Sequence, residues 1–493
     1  MMSCASESSP HRWKHAVRAD EGDLIVEPIT IREILAAVNG TLLGEACDLD
    51  TTVRYVDTDS RKLHEGSLFL PLEGERFDGH SFINVALEGG AAGCLTARER
   101  ESYLPGKFYI KVRSTQRALR DLARYYKQKF PIPYVAITGS VGKTTTKDMV
   151  SAVLGERYKV LKTDGNFNNA VGLPLTLLRL NREHQICVLE MGMNHIGEID
   201  YLSDIVEPDV AIITNIGDSH IENLGSRENI LKAKCEIFNH LKPNGTVILN
   251  GDDELLRTLP GTLPYSILTC GVSEGLDYTA YDVESNGLEH LSCKVKTPRG
   301  KCDLDIPALG SHMVYPALMA AAVGELFGLT GEDITRGVQG FLPTKMRMNI
   351  IRRGNDIVVL NDAYNANPQS MRAAAAVLGD SRDRRKVAVL GDMLELGVGS
   401  DMFHRAVGGY FAEAGTDCLI AVGHLASYIA EGARDGGVPL VYSFESKEKA
   451  CEALSKELRA GTTILVKASR AMAFEQFVNY IIENTAEETA RSD

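Results

Sequence analysis

Short apolar runs rich in valine and isoleucine recur along this chain. "YVAIT", "QICVLEM", "DVAIIT" and "GTVILN" are separated by stretches with helical spacing, among them "SRENILKAKCEIFNHL". A strand buried on both faces reads as a continuous apolar run, so this alternation predicts a parallel sheet covered by helices on both sides. "LSCKVKTPRGKCDLDIPALG" interrupts the rhythm with shorter β character, and the helix "MVYPALMAAAVGELFG" follows. Near Arg347 the alternation starts afresh with "DIVVLND", "KVAVLGD", "DCLIAVG", "PLVYSF" and "TTILVKA". That predicts a second, Rossmann-like α/β domain of ordinary size. Upstream, "TIREILAAVNG" reads as a helix and "VRYVDTDSRKLHEGSLFLPLEGERFDGH" as short strands and turns. "STQRALRDLARYYKQKF" reads as a charged helix that runs to Pro131 and Pro133. The expected organisation is α/β throughout: a disordered tail over 1–23, a small mixed unit over 24–112, a central parallel-sheet domain over 113–345 and a C-terminal domain over 346–493.

Composition narrows the class. A chain of 493 residues is too long for one core. Its 44% hydrophobic and 24% charged content is that of a globular protein, and its apolar runs are too short to span a bilayer. The polar N-terminal stretch has no apolar segment of the secretory kind. Ten cysteines without a Cys-x-x-Cys pair favour reduced thiols and a cytoplasmic location over disulfides or a zinc site. A net charge of −13 with no basic run argues against nucleic-acid binding. Anionic substrates would have to be captured by local lysines, arginines and helix N-termini.

"AITGSVGKTTTKDMV" supplies such a place. An apolar strand leads into Gly139, Ser140, Val141 and Gly142, and a helix opens with Lys143, Thr144 and Thr145. Backbone N–H groups can converge on a phosphate there, Lys143 can reach the β and γ oxygens, and Thr144 can hold Mg²⁺. The usual eight-residue loop would have glycine at position 137, where this chain has Ile137, so the loop is tighter. Two further strand ends carry candidate ligands. Glu190 closes the strand in "VLEMGMNHIGE", and His220 follows the strand in "ITNIGDSHIENLG". The C-terminal ends of parallel strands are where such sheets bind ligands. Thr144, Glu190 and His220 form an oxygen–nitrogen set for Mg²⁺, although Mg²⁺ prefers oxygen. "GNFNNAVGLP" holds Asn166, Asn168 and Asn169, which also read as a simple turn.

The motifs "TDSRKL…GSLFLPLEGERFDGHSF", "ITGSVGKTTTKDM", "NFNNAVGLPLTLL", "LEMGMNHIGEI", "GDSHIENLGSRENILKAKCEIF", "NDAYNANPQSMRAA" and "LGDMLELG" together resemble the Mur ligase family over about residues 24–485. These are ATP-dependent ligases that build the peptide stem of peptidoglycan. The resemblance implies ATP and Mg²⁺ as cofactors. It also implies UDP-N-acetylmuramoyl-tripeptide and D-Ala-D-Ala as substrates, an acyl-phosphate route and a monomer. It assigns Lys143 and Thr144 to phosphate and Mg²⁺, and Glu190 and His220 to the metal site. In "LKAKCEIF" it makes Lys234, with Lys232 as the rival, a lysine carbamylated by CO₂. Arg347 matches an arginine that reaches the γ-phosphate, and Asp362 a ribose-contacting acid. Asn168, Asn169, Asn365 and Asn367 are implied around the reaction centre, and Ser60, Arg61, Asp78 and His80 at the UDP-sugar end. The chain departs from the family in "GSHMVYPALMAA": His312 is kept, but Met313 and Pro316 replace two asparagines, and the adenine contacts are left unassigned. "ELGVGSDMFHRAVG" also lacks the acidic stretch common before the His404 region.

Three other readings compete. The sibling ligase that adds the third stem residue would carry "DNPR", which is absent. Folylpolyglutamate synthase would have glycine after the loop lysine and a "DGAHNP" motif, and this chain has neither. A regulatory P-loop ATPase could use Glu190 but gives no reason for "DSR" or "YNANP". Whether the third stem residue is lysine or diaminopimelate is not written in the sequence.

Overall fold

The computed structural model describes residues 25–45, 47–74 and 77–487. The tail expected over 1–23 lies outside the described residues. The contacts divide the chain into two compact units, one formed by residues up to 131 together with 164–183, the other by 132–163 and 184 onward.

The first unit holds a six-stranded sheet in the order Ile25–Thr30, Thr52–Asp57, Leu68–Phe69, Gly93–Thr96, Phe108–Lys111, Thr41–Leu43. Its two outer pairings are antiparallel and its inner ones parallel. The helix Ile31–Ala37 starts where the sequence suggests, because Thr30 and Glu33 form a reciprocal capping box. The helix Thr115–Lys127, capped by Ser114, packs in this unit. Its Tyr126 hydroxyl accepts from the Glu27 N–H at 2.6 Å and donates to the Leu180 carbonyl at 2.7 Å, which ties 164–183 to the same core.

The second unit contains two sheets. Nine strands run in the order Gly300–Ile306, Leu291–Thr297, Tyr278–Ser285, Ser266–Gly271, Thr246–Asn250, Val210–Ile213, Tyr134–Thr138, Ile186–Glu190, Val160–Lys162. Pairing is parallel from Val160–Lys162 across to Tyr278–Ser285. The interrupted rhythm around "LSCKVKT" is an antiparallel edge added to that parallel core. The helices Lys143–Gly155, Val314–Leu326 and Gly331–Gln339 cover one apolar face. Gly337 permits the close approach: a Cβ there would lie 2.4 Å from the Val153 Cα. The helix expected over "SRENILKAKCEIFNHL" is shorter than its pattern. It spans Arg227–Cys235 and tightens into a 3₁₀ turn at Glu236–Phe238.

The other sheet has the order Asn349–Arg353, Ile357–Asn361, Thr462–Lys467, Arg385–Gly391, Cys418–Val422, Leu440–Phe444. All but the first pairing are parallel. The five recurring apolar runs are its five parallel strands. The sixth, Asn349–Arg353, is partly exposed and lacks their apolar signature. The two sheets of this unit are the ones the alternation predicts, and the sheet of the first unit agrees with the mixed α/β reading of that segment. Among the described residues no helix is long and apolar enough to cross a membrane.

Candidate active site

Strand order brings the candidate residues together. Tyr134–Thr138, which feeds the phosphate loop, lies between the strand ending in Glu190 and the strand leading to His220. Ile137 pairs with Glu190 on one side, and Thr138 with Ile213 on the other. All three side chains therefore emerge at the carboxyl edge of one parallel sheet.

The loop is shaped by its glycines and by residues distant in sequence. Gly139 has φ 151°, and a Cβ there would sit 1.9 Å from the Thr214 hydroxyl. Gly142 has φ 81° and caps the helix that begins at Lys143. The N–H groups of Ser140 and Val141 are taken by Asn215, through its carbonyl at 3.1 Å and its side-chain oxygen at 3.0 Å. Thr214 and the Asn215 amide both donate back to the Val141 carbonyl. Ser140 Oγ accepts from the Gly217 N–H at 2.8 Å. The N–H groups left to face an anion are those of the helix's first turn, where α-helices have no internal partners for them. Thr144, 3% exposed, and Thr145 stand in that turn. Asn215 carries no local signal in the sequence beyond following a strand.

Lys143 Nζ donates to the Gly139 carbonyl at 2.8 Å and the Ser140 carbonyl at 3.3 Å, folding over its own loop. Burial lowers its pKa, Glu190 opposes that, and Arg347 adds to it. Lys143 thus feels the charges of both Glu190 and Arg347, although Arg347 comes from the segment leading into the C-terminal sheet. Glu190 is 2% exposed, and its N–H is anchored on Thr163 Oγ1 at 3.0 Å.

His220 sits in the left-handed region at φ 63°, an uncommon conformation for a non-glycine residue. Its Nδ1 lies 2.7 Å from Glu395 Oε2. Burial depresses its pKa against the pull of Glu395, and the charges of Lys143 and Lys234 depress it further. A neutral ring that donates from Nδ1 to Glu395 keeps its Nε2 lone pair for a metal. Glu190, the Thr144 hydroxyl and His220 Nε2 are a donor set that fits a hard divalent cation. Lys234, 1% exposed, lies on the helix Arg227–Cys235. Burial pushes its ammonium well below the usual range, and the Lys143 charge adds to this. Lys232 on the same helix is exposed.

On the C-terminal sheet, Asp362 accepts from the Met348 N–H at 3.1 Å and from Lys467 Nζ at 2.5 Å. Lys467, 2% exposed, also donates to the Asn365 carbonyl at 2.8 Å. The sequence shows this lysine only as the end of the apolar run "TTILVKA", with no role attached to it. Asn367 caps the helix Pro368–Gly379, accepting from the Ser370 N–H at 2.8 Å, and its amide donates to Ser219 Oγ at 2.8 Å. The asparagine thereby fastens the C-terminal sheet's first helix beside His220. Asn365 is exposed. Met313 belongs to the central core, and Pro316 is buried on the helix Val314–Leu326.

The remaining candidates lie in the first unit. Arg61 pairs with its neighbour Asp59 at 2.5 Å, which holds that carboxyl down at about 2. Ser60 beside it is partly exposed. His80 is 6% exposed and both ring nitrogens are used. Its Nε2 accepts from the Ala97 N–H at 3.0 Å, so Nδ1 carries the proton and donates to Asp78 at 2.8 Å. Burial raises the Asp78 carboxyl, but His80 and Arg98 outweigh it and hold the group below its usual value. The oxygens of Glu73 and Asp78 and this nitrogen lie within 4.8 Å of one another, but the ring is already committed to the protein. Asn169 Oδ1 accepts from the N–H groups of Val171 and Gly172, as in the turn reading of that stretch. Asn168 bonds through its N–H to the Asn166 carbonyl.

Comparison with known proteins places nearly the whole of this chain in one family. Three family descriptions match: Mur ligase family, catalytic domain, over residues 52–127; Mur ligase middle domain over 137–324; and Mur ligase, glutamate ligase domain, over 346–470. The UDP-N-acetylmuramoyl-tripeptide–D-alanyl-D-alanine ligase of Bacillus subtilis is 41% identical over 457 residues, covering 92% of this chain and 98% of the relative. A crystal structure of MurF from Acinetobacter baumannii superposes with a TM-score of 0.86 at 34% identity, over 93% of this chain and 99% of that one. MurF ligase from Thermotoga maritima, solved in complex with ADP, gives 0.78 at 28% identity, over 87% and 97%. With the phosphate loop, Glu190 and His220 on one sheet edge and these matches running almost end to end, the chain belongs to the Mur ligase family.

Proposed function

We propose that this protein joins D-Ala-D-Ala to the terminal carboxylate of UDP-N-acetylmuramoyl-tripeptide, with conversion of ATP to ADP and phosphate. The observation that carries the reading is the sheet edge, where the phosphate loop leading to Lys143 emerges between the strand ending in Glu190 and the strand leading to His220. Its extension to the substrates rests on the relatives named above.

A carboxylate is a poor acyl donor because its leaving group would be oxide. Transfer of the γ-phosphoryl group to a carboxylate oxygen gives an acyl phosphate and ADP. The dipeptide amine then adds to the carbonyl carbon, and the tetrahedral adduct collapses with loss of phosphate and a proton. Two anions must meet in the first step, so the protein's contribution is positioning and charge neutralisation. Lys143 and the first-turn N–H groups hold the β and γ phosphates, and Arg347 meets the γ-phosphate from the other side. Thr144, Glu190 and His220 would hold Mg²⁺, which when bound would supply positive charge near the phosphate oxygens. Lys234, once carbamylated, adds a carboxylate to that set. Asp362 orients the ribose, Asn365 and Asn367 border the reacting groups, and the loop with Ser60 and Arg61 holds the UDP end. Asp78 and His80 brace that unit from within.

The test is phosphate release. Activity should require both D-Ala-D-Ala and a UDP-muramoyl-tripeptide, and comparing lysine- and diaminopimelate-containing tripeptides identifies the third residue. Turnover of ATP with neither acceptor nor amine would instead support a regulatory ATPase.

A further inference from the structure

Arg347 is a half-buried cation held without a carboxylate. Among the described residues it makes no ion pair, and its Nε is buried with no hydrogen-bond partner. What it has is a ring: the guanidinium carbon lies 4.2 Å from the centroid of Tyr364. We propose that Tyr364 is the positioning residue for Arg347, its ring face holding the guanidinium in place of a carboxylate so that the N–H donors stay available to the γ-phosphate. This rests on the assignment of Arg347 given above.

The backbone around the pair is built for it. Met346 and Met348, on either side of Arg347, both have left-handed backbone, φ 60° and 54°. Such a conformation costs energy for a side chain as large as methionine and persists only where neighbours enforce it. They do so here. The Tyr364 N–H donates to the Met346 carbonyl at 3.2 Å, and the Met348 N–H donates to Asp362 at 3.1 Å. The Arg347 N–H is shared between the Thr344 carbonyl at 3.2 Å and Asn349 Oδ1 at 3.3 Å. The turn that presents Arg347 is thus clamped to the segment that presents Tyr364.

The chemistry explains the choice of ring over acid. A carboxylate would hold the arginine more tightly, but it would occupy the N–H fork and compete with phosphate for it. An aromatic face attracts the cation through its quadrupole and leaves the edge donors free. The phenol remains neutral: burial, with Glu190 adding to it, raises it above its ordinary value, and the charges of Arg347 and Arg470 and a weaker hydrogen bond with Arg347 oppose only part of that. The Arg347 charge also bears on Lys143, and that of Glu190 on Tyr364.

The test compares Tyr364→Phe and Tyr364→Leu, alone and with Arg347→Ala, in the full chain. The principal readout is the affinity for a non-hydrolysable ATP analogue relative to ADP, measured by calorimetry with Mg²⁺. Thermal melts check folding. The parent should prefer the triphosphate. Tyr364→Phe should keep that preference within about twofold, since the ring is retained. Tyr364→Leu should lose about tenfold of it, within the range of one desolvated cation–π contact, with ADP affinity unchanged. On the Arg347→Ala background Tyr364→Leu should add nothing. Equal losses in the Phe and Leu variants would transfer the role to the hydroxyl and overturn the inference. So would a Leu variant with the parent's preference, or a full additional loss on the Arg347→Ala background. This readout needs neither acceptor nor amine. A parent that prefers triphosphate through this pair but does not ligate D-Ala-D-Ala would sink the proposed substrates and leave the inference standing.

Discussion

His220 Nδ1 and Glu395 Oε2 lie 2.7 Å apart although 175 residues separate them in the chain. The contact joins the central sheet's ligand edge to the loop after the strand Arg385–Gly391, and it fixes which imidazole nitrogen is left for a metal. Partners of this kind are typically worth ten- to a hundredfold in metal affinity or activity. Glu395→Ala should therefore lower ligation by about that factor and raise the Mg²⁺ concentration needed for half-maximal rate. An unchanged Mg²⁺ titration would remove Glu395 from this role.

The same pair sets a pH dependence. His220 has a depressed pKa in the folded state, with burial the largest cause. Between that value and the ordinary 6.5, the unfolded chain binds a proton here that the folded chain does not. Stability from this group therefore falls as pH drops below about 6.5. His220→Gln should flatten that part of the profile, read as melting temperature between pH 5 and 7.5 relative to the parent.

Asn367 has two jobs that substitution can separate. Its oxygen caps the helix Pro368–Gly379, and its amide donates to Ser219. Asn367→Asp keeps a good cap and loses the donor, so stability should hold within about 0.5 kcal/mol while ligation falls. Asn367→Ala should lose about 1 kcal/mol of stability as well. Denaturant melts beside rate measurements separate the two. An Asp variant with parental rates would mean that the tie to Ser219 does not serve catalysis.

How much of this was readable beforehand follows from range. The parallel strands announce themselves, because burial on both faces makes each a continuous apolar run, and Lys143 with Thr144 is a local motif. The partly exposed strand Asn349–Arg353 has no such signature. Asn215, which takes the N–H of Val141 from 74 positions away, follows a strand like any turn residue. Glu395 and Lys467 act on His220 and Asp362 from 175 and 105 positions away, and only the fold brings them together. His80 was legible as special but not in its direction, since both of its nitrogens bond within the protein.

Lys143→Ala should abolish ligation and leave the fold intact. In the absence of a phosphate its ammonium rests on the loop's own carbonyls at 2.8 and 3.3 Å, contacts that a solvated loop can replace. Loss of the charge over the β and γ phosphates cannot be replaced in the same way. Near-normal turnover with an unchanged melting temperature would overturn the assignment of the phosphate loop.

Lys234 should be carbamylated in the active enzyme. Only a neutral amine attacks CO₂, and burial beside Lys143 holds this one well below its ordinary pKa. The product is an anion with two acceptor oxygens, which suits a Mg²⁺ site where a free ammonium would be repelled. Lys234→Ala should cut the rate severely, and added short-chain carboxylic acids should restore part of it by filling the vacated space. Exposed Lys232→Ala should matter far less. The stability effect has the opposite sign. Below pH 10.5 the unfolded chain protonates Lys234 more readily than the folded chain, so the unmodified residue costs stability that returns as pH rises. With CO₂ excluded, Lys234→Met should melt above the parent at pH 7, and the gap should narrow towards pH 10. If Lys232→Ala were the damaging change, the modified lysine would be one helical step away. If neither mattered, the metal would be held without it.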